Sequence, residues 1–226
     1  MEYAEFIWKA IRDNTPEIAR GEAEFHFVVN FKKGESEKVI DFLNEAGYRY
    51  IVYDKEPEQA DYPNNMPSIY RAWNFAVETS EGEIVCLINS DMYPASQDWL
   101  TNMIKYLEKN KTIVTSRLVE SGKLISTLPH TVSHNFGQNI KSFEKEKFIR
   151  FAEMLKEEKA VDLGTFMPLV IFKEDFVKSG GFPHGNIMNK QNGQIISGDQ
   201  WFFYKILRDM NVKHLNSWSS LLYHFQ

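Results

Sequence analysis

Short apolar segments alternate with amphipathic helical patterns through the first 91 residues, and this alternation constrains the fold more than any other feature. Apolar residues recur at helical spacing over 3–11, 39–46 and 69–77. Segments with the composition of β-strands are 24–30, 48–54 and 84–88. Strands connected through helices pair in parallel and take helices on their faces. The sequence therefore predicts an α/β fold, a three-layer sandwich around a mostly parallel central sheet.

The segment EIVCLINSDMYP, residues 83–94, predicts where a site lies in this sheet. Its apolar run is short and uniform, which is typical of a strand buried on both faces. The run stops abruptly at Asn89, Ser90 and Asp91. In open α/β sheets ligands bind beyond the carboxyl ends of the strands. These three polar residues are therefore predicted to border a binding site.

The second half of the chain is less regular but continues the pattern. Helices are predicted at 100–107, with Ser96 as N-cap, and at 148–155 and 199–210. Strands are predicted at 112–118, at 123–127 and at the end of the chain. The 226 residues contain no linker-like segment or repeat, so we expect one domain.

Charge and hydropathy exclude several classes of protein. The net charge is −5 and no Lys/Arg block stands out, which argues against general nucleic-acid binding. No leader-like segment and no apolar segment near 18 residues occurs, so we expect a cytoplasmic protein without a membrane span.

Four segments resemble, in order, the motifs of GT-A fold glycosyltransferases, especially the family 2 group. The segments are RAWNFAVETSEGE, GEIVCLINSDMYP, GTFMPLVIFKEDFVKSGGFP and SGDQWFFYKIL. The resemblance covers roughly residues 3–226 and implies a Rossmann-like GT-A domain over 1–226. It also implies a nucleotide-binding half at 1–91 and an acceptor-binding half at 92–226.

The resemblance implies a metal-dependent, inverting glycosyltransferase of the hexosyltransferase type. Its donor would be a nucleotide sugar, a UDP-sugar in the first instance. Its acceptor would be a hydroxyl of a glycan, a lipid or a small molecule. Its cofactor would be Mn²⁺ or Mg²⁺, and a homo-oligomer is an open alternative to a monomer.

Two residues are candidate metal ligands. Asp91 is the predicted anchoring carboxylate, because hard divalent cations prefer oxygen ligands; alternatively, it caps a turn before Pro94. His224 resembles a metal-binding histidine near the C-terminus of these enzymes, and an imidazole ligand would favour Mn²⁺ over Mg²⁺. The alternative for His224 is an ordinary half-buried histidine at a strand end.

Further site residues follow from the same resemblance. Asp199 resembles the general base that accepts the proton of the acceptor hydroxyl; alternatively, it is the N-cap of the helix that follows. The predicted donor-binding residues are Asn74, Asn89, Ser90 and Asp91. The predicted acceptor-binding residues of this resemblance are Gly181 and Phe182. His134 is predicted from its own segment, 129–137, to line the acceptor cleft, and the alternative there is a zinc site with His130.

The chain also departs from the family pattern. It begins at Met1 in what resembles the first helix, where relatives have a strand before it. Asn30 stands where an acidic residue is common, the motif at 89–91 has one carboxylate, and Gly198 replaces a glutamate. Three explanations stay open: a truncated or misassigned start, a strand replaced from elsewhere, or a loss of catalysis. The last gives the second hypothesis, a catalytically impaired GT-A protein that binds a glycan or a protein partner.

Overall fold

The computed structural model describes residues 1–30, 34, 36–54, 67–122, 128–188 and 193–225, which form an α/β fold. Its helices are α1 (Glu2–Asn14), α2 (Pro16–Ala19), α3 (Glu37–Glu45), α4 (Pro67–Thr79), α5 (Trp99–Ile104), α6 (Lys145–Leu155), α7 (Lys173–Lys178), α8 (Gly198–Trp201) and α9 (Leu207–Asp209). Its strands are β1 (Phe27–Asn30), β2 (Tyr50–Tyr53), β3 (Ile84–Leu87), β4 (Met92–Pro94), β5 (Thr112–Glu120), β6 (Val132–Ser133), β7 (Ala160–Asp162), β8 (Leu169–Phe172), β9 (Ile187–Met188), β10 (Ile195–Ile196) and β11 (Lys213–His224).

The described residues divide into two compact units. The first unit comprises the described residues of 1–23, 86–171 and 212–226, and the second comprises those of 24–85 and 172–211.

The first unit is built on a mixed sheet with β5 and β11 at its centre. The strand order is β3-β8-β5-β11-β4; β5 and β11 run parallel, whereas β4 and β8 are antiparallel to their neighbours. The strand β5 is nearly all buried because of its apolar and small polar side chains. Parallel pairing brings the carboxyl ends of β5 and β11 to the same edge of the sheet.

Aromatic side chains fill the core beneath this edge. Tyr223 of β11 packs against Phe136, Phe143 and Phe148. The Tyr223 hydroxyl also donates a hydrogen bond to the carbonyl of Gly137 (2.6 Å). Because successive side chains of a strand point to opposite faces, burial of Tyr223 in this core directs His224 to the other face.

The second unit contains a two-stranded parallel sheet, with Phe27 of β1 opposite Tyr50 of β2. The helix α4 packs on both strands, and its buried Ala72, Ala76 and Val77 form the apolar stripe that the sequence predicts. Tyr70 and Asn74, two residues of the site described in the next section, lie on this helix.

The predicted α/β class is confirmed, and several local predictions need correction. Ser96 is not the N-cap of α5; that position belongs to Asp98, whose carboxylate accepts a hydrogen bond from the Ser96 hydroxyl. The segment 199–210 is not one α-helix, because a π-helical turn, Phe202–Ile206, separates α8 from α9. The strand β3 has half-buried residues alternating with buried ones, so it is not fully buried on both faces. The predicted strand at 123–127 lies outside the described residues.

Within the described parts of the chain, no helix combines the length and the apolar character needed to cross a bilayer.

Candidate functional site

Three neighbouring strand ends bring Asp91, Glu120 and His224 together in the first unit. His224 lies directly opposite Glu120 in the parallel β5–β11 ladder and opposite Met92 in the antiparallel β4–β11 ladder. Asp91 immediately precedes β4, and its carbonyl accepts a hydrogen bond from the amide of Phe225 (3.0 Å). The strand pairing alone therefore places the three side chains side by side.

The imidazole of His224 lies between the two carboxylates. Its Nδ1 is 3.1 Å from Oε1 of Glu120, and its Nε2 is 3.5 Å from Oδ2 of Asp91. The side chain of Glu120 is 6% exposed and that of Asp91 is 40% exposed. One carboxylate of this cluster is thus held inside the protein and the other reaches solvent.

This arrangement changes the pKa of His224. Burial lowers it, but the hydrogen bonds and negative charges of Asp91 and Glu120 outweigh burial and raise the pKa from 6.5 to about 9. The cluster is therefore a place where a positive charge is favoured, whether the charge is carried by a proton or by another cation.

Two buried oxygens of the cluster lack a hydrogen-bond partner. They are Oδ1 of Asp91 and Oε2 of Glu120. A buried carboxylate oxygen without a partner costs free energy, and a bound cation would supply the missing interaction. Asp91 and His224, the two predicted ligands, also offer the oxygen and imidazole donors that suit Mn²⁺.

Asp91 and His224 would supply only part of the ligand set of a metal ion. Among the described residues, no group of three or more His, Cys, Asp and Glu side chains is arranged to hold a metal ion. Ions such as Mg²⁺ commonly use one or two protein carboxylates and take their other ligands from water and substrate phosphates. The pair Asp91 and His224 fits that kind of site.

The remaining predicted residues of the first unit adjoin the cluster in sequence or through one backbone hydrogen bond. Asn89 is half-buried and Ser90 is exposed, and both precede Asp91 in the loop after β3. The exposed His134 stacks on Phe151, with 4.6 Å between ring centroids, and its amide donates to the carbonyl of Glu120 (2.9 Å). Donor and acceptor binding by these residues stays a prediction.

In the second unit, Asn74 fixes the glycine loop that follows α7. Its side-chain amide donates to the carbonyl of Phe182 (2.8 Å) and accepts from the amide of Phe182 (2.9 Å). Gly181 has φ +68°, and a Cβ there would lie 2.7 Å from Oδ1 of Asn74. The ring of Phe182 is 1% exposed and packs on Tyr70 and Trp73. These contacts give the three predicted residues structural roles, and their binding roles stay predictions.

Asp199 lies in the first turn of α8 and not at its N-cap, which is Ser197. The N-cap alternative for Asp199 is therefore wrong. Its Oδ1 accepts hydrogen bonds from the amide of Gln200 (2.8 Å) and from the hydroxyl of Tyr70 (3.4 Å). Burial and the charge of Asp199 raise the pKa of Tyr70 to about 12, so the phenol stays protonated as a donor.

Tyr70 also explains the glycine at position 198. A Cβ on Gly198 would lie 2.6 Å from Cε2 of Tyr70, so the ring occupies the space that a side chain would need. A glutamate at position 198, as in the motif that this segment resembles, would clash with Tyr70. The same tyrosine contacts the adjacent Asp199.

We expect Gly198→Ala to destabilise the protein by about 1–3 kcal/mol, because the buried Tyr70 ring must shift to admit the methyl group. Chemical denaturation measures this cost. In a Tyr70→Leu background the same substitution should cost less, and an equal cost in both backgrounds would contradict the steric explanation.

Glu120 and Tyr70 are two residues of these arrangements that were not predicted from the sequence. The signal for Glu120 was present: the predicted strand at 112–118 is followed closely by a carboxylate, as the strand before Asp91 is. No comparable signal exists for Tyr70, because its contact with Asp199 joins residues 129 positions apart.

Comparison with known proteins identifies the family. The model of glycosyl transferase family 2 matches residues 61–174. The chain belongs to this family. The matched region includes the loop at 89–91 and the whole of β5, so the candidate site of this family 2 protein lies partly inside it.

A solved structure shows the same fold. The crystal structure of GalNAc-T7 with UDP, GalNAc and Mn²⁺ is similar to this chain with a TM-score of 0.57 at 13% identity. The similarity covers 95% of this chain and 39% of that one, so this chain corresponds to well under half of GalNAc-T7. Comparison with curated protein sequences gave no match. The predicted GT-A fold and family are confirmed.

Proposed function

We propose that this family 2 protein is a metal-dependent, inverting glycosyltransferase that uses a nucleotide-sugar donor. The observation that carries the proposal is the pairing of Asp91 and His224 at the strand ends, with a buried Asp91 oxygen that lacks a partner. The presence of UDP and Mn²⁺ in the GalNAc-T7 structure supports a UDP-sugar as donor and Mn²⁺ as the ion.

Asp91 and His224 would hold the ion, and Asn89 and Ser90 would border the donor phosphates. When bound, a divalent ion supplies Lewis-acid stabilisation of the diphosphate leaving group. Glu120, hydrogen-bonded to His224, supports this pair from the buried side.

Asp199 would act as the general base. In the transfer, the acceptor hydroxyl oxygen forms a bond to the anomeric carbon while the bond from that carbon to the diphosphate oxygen breaks. The diphosphate leaves with the electron pair, and the Asp199 carboxylate takes the hydroxyl proton. Attack opposite the leaving group inverts the anomeric configuration. The Tyr70 hydroxyl and the Gln200 amide hold the carboxylate in place.

The acceptor would be a hydroxyl of a glycan, a lipid or a small molecule. The candidate acceptor-binding residues are His134 in the first unit and Gly181 and Phe182 in the second. The exposed His134 is the most accessible of the three.

The proposal is tested by thermal unfolding with UDP and Mn²⁺ together. We expect the pair to raise the melting temperature of the wild-type protein, because ligands that bind only the folded state stabilise it by mass action. Asp91→Ala should abolish the shift. Asp41→Ala, at an exposed position of α3, is the matched control and should retain it.

Two results would count against the proposal. Absence of a shift in the wild type at millimolar UDP and Mn²⁺ would contradict metal-dependent donor binding. Glycan binding without any transfer from a nucleotide sugar would instead favour the second hypothesis, a catalytically impaired binding protein, which the single carboxylate at 89–91 and Gly198 motivate.

A further inference from the structure

Glu120 is a buried carboxylate in a strand whose other buried side chains are apolar or small and polar. It is the last residue of β5 and is 5% exposed. Its Oε1 lies 3.1 Å from Nδ1 of His224, and its Oε2 is buried without a hydrogen-bond partner. Burying a carboxylate with incomplete hydrogen bonding is costly. An apolar side chain of similar size would avoid that cost, so burial alone does not account for a glutamate here.

The geometry around His224 gives the carboxylate a chemical role. When Nδ1–H donates to Oε1 of Glu120, the neutral imidazole carries its lone pair on Nε2. Nε2 is the nitrogen that faces Asp91, at 3.5 Å from Oδ2. A carboxylate on the far nitrogen of a metal-binding histidine fixes its tautomer and ring orientation and makes it a better ligand.

Strand pairing makes this contact rigid. Glu120 and His224 are direct neighbours in the parallel ladder of β5 and β11. The amide of His134 donates to the carbonyl of Glu120, and Tyr223 anchors the end of β11 in the aromatic core. Neither backbone can shift without breaking these contacts.

We propose that Glu120 is a positioning residue that holds His224 with Nε2 directed at a divalent cation shared with Asp91. Glu120 itself does not bind the cation. This inference rests on the proposed function, since the cation is the one that would serve the nucleotide-sugar donor.

The test measures Mn²⁺ binding directly, by the loss of the electron paramagnetic resonance signal of free Mn²⁺ as protein is added. Glu120→Gln keeps an oxygen that can accept from Nδ1–H, whereas Glu120→Leu removes it. We expect Mn²⁺ affinity to fall about 10-fold in Glu120→Gln and about 100-fold in Glu120→Leu, the range found for partners of metal-binding histidines. Glu153→Gln, at an exposed position of α6, is the matched control and should bind as the wild type does.

A spectroscopic readout separates positioning from simple stability. Nitrogen-15 NMR of the metal-free protein, at a pH where the imidazole is neutral, should show His224 as the Nδ1–H tautomer in the wild type and in Glu120→Gln. Glu120→Leu should shift the population towards the Nε2–H tautomer. A residue with only a structural role would leave the tautomer unchanged.

The outcomes distinguish the inference from the proposed function. Wild-type affinity in Glu120→Leu would overturn the inference alone. An equal, large loss in Glu120→Gln and Glu120→Leu would also overturn it, because it would mean that the carboxylate binds the ion directly. A wild-type protein that binds no Mn²⁺ would overturn the metal-dependent function and the inference together.

Discussion

Asp199→Asn is expected to lower kcat by about 10²–10⁴-fold, the usual contribution of a positioned general base, while donor binding stays intact. Asparagine keeps the size of the side chain and can still accept hydrogen bonds from Tyr70 and Gln200. The substitution therefore removes the basic oxygen and leaves the local structure. Initial rates of sugar transfer measure kcat, and the melting-temperature shift with UDP and Mn²⁺ reports donor binding.

A nearby carboxylate provides the control for this experiment. Asp209→Asn removes a negative charge from α9, where Asp209 forms an exposed ion pair with Lys205, and should leave kcat unchanged. Asp199→Asn with a normal rate would show that another group takes the proton. A loss of the donor-dependent shift in Asp199→Asn would show that the residue serves donor binding rather than proton transfer.

The α/β class could be predicted because its signals are local. The stripe of α4 and the termination of the apolar run at Asn89 follow from periodicity and composition over about a dozen residues. The contact between Asp91 and His224 could not be predicted from local signals, because the two residues are 133 positions apart in the sequence. The family resemblance supplied that step, and the register of β4, β5 and β11 explains it.

Two predictions were wrong, the N-cap at Ser96 and the continuous helix at 199–210, because composition does not determine where a helix begins or which hydrogen-bond pattern it adopts. Ser96 has the composition of an N-cap, but α5 begins three residues later and the Ser96 hydroxyl bonds to Asp98 instead. The π-helical turn after Trp201 also has no composition signal, because it differs from an α-helix only in which carbonyl each amide selects.

Tyr70 and Gly198 show what single-residue reasoning omits. Taken alone, the glycine looks like the loss of a motif residue. In the structure, the Tyr70 ring fills the space beside Gly198 and the Tyr70 hydroxyl contacts Asp199. The glycine at 198 and the tyrosine at 70 therefore fit each other. Similarly, the amide of Asn74 holds both backbone groups of Phe182, and α4 therefore positions both the glycine loop and the start of α8.

His224→Gln is expected to destabilise the metal-free protein most below pH 6.5, by an amount that declines as the pH rises to 9. The folded protein raises the pKa of His224 from 6.5 to about 9. The imidazolium therefore contributes its full stabilisation below pH 6.5, and the contribution disappears as the folded form loses its proton near pH 9. At about 1.4 kcal/mol per pKa unit the effect is about 3 kcal/mol, and solvent screening of the half-exposed Asp91 reduces it. Denaturant unfolding in the presence of a chelator measures the difference from wild type at each pH.

A divalent ion should show the opposite dependence on pH, because it binds Nε2 only after the proton has left. The increase in melting temperature that Mn²⁺ produces is therefore expected to grow between pH 6.5 and 8.5 in the wild type and to be absent in His224→Gln.

His184→Gln, at an exposed position outside the cluster, should behave as the wild type in both experiments. A difference between wild type and His224→Gln that stays constant across this pH range would contradict the ion-pair geometry. A Mn²⁺ effect that is independent of pH would show that the cation binds without displacing the proton, and hence away from His224.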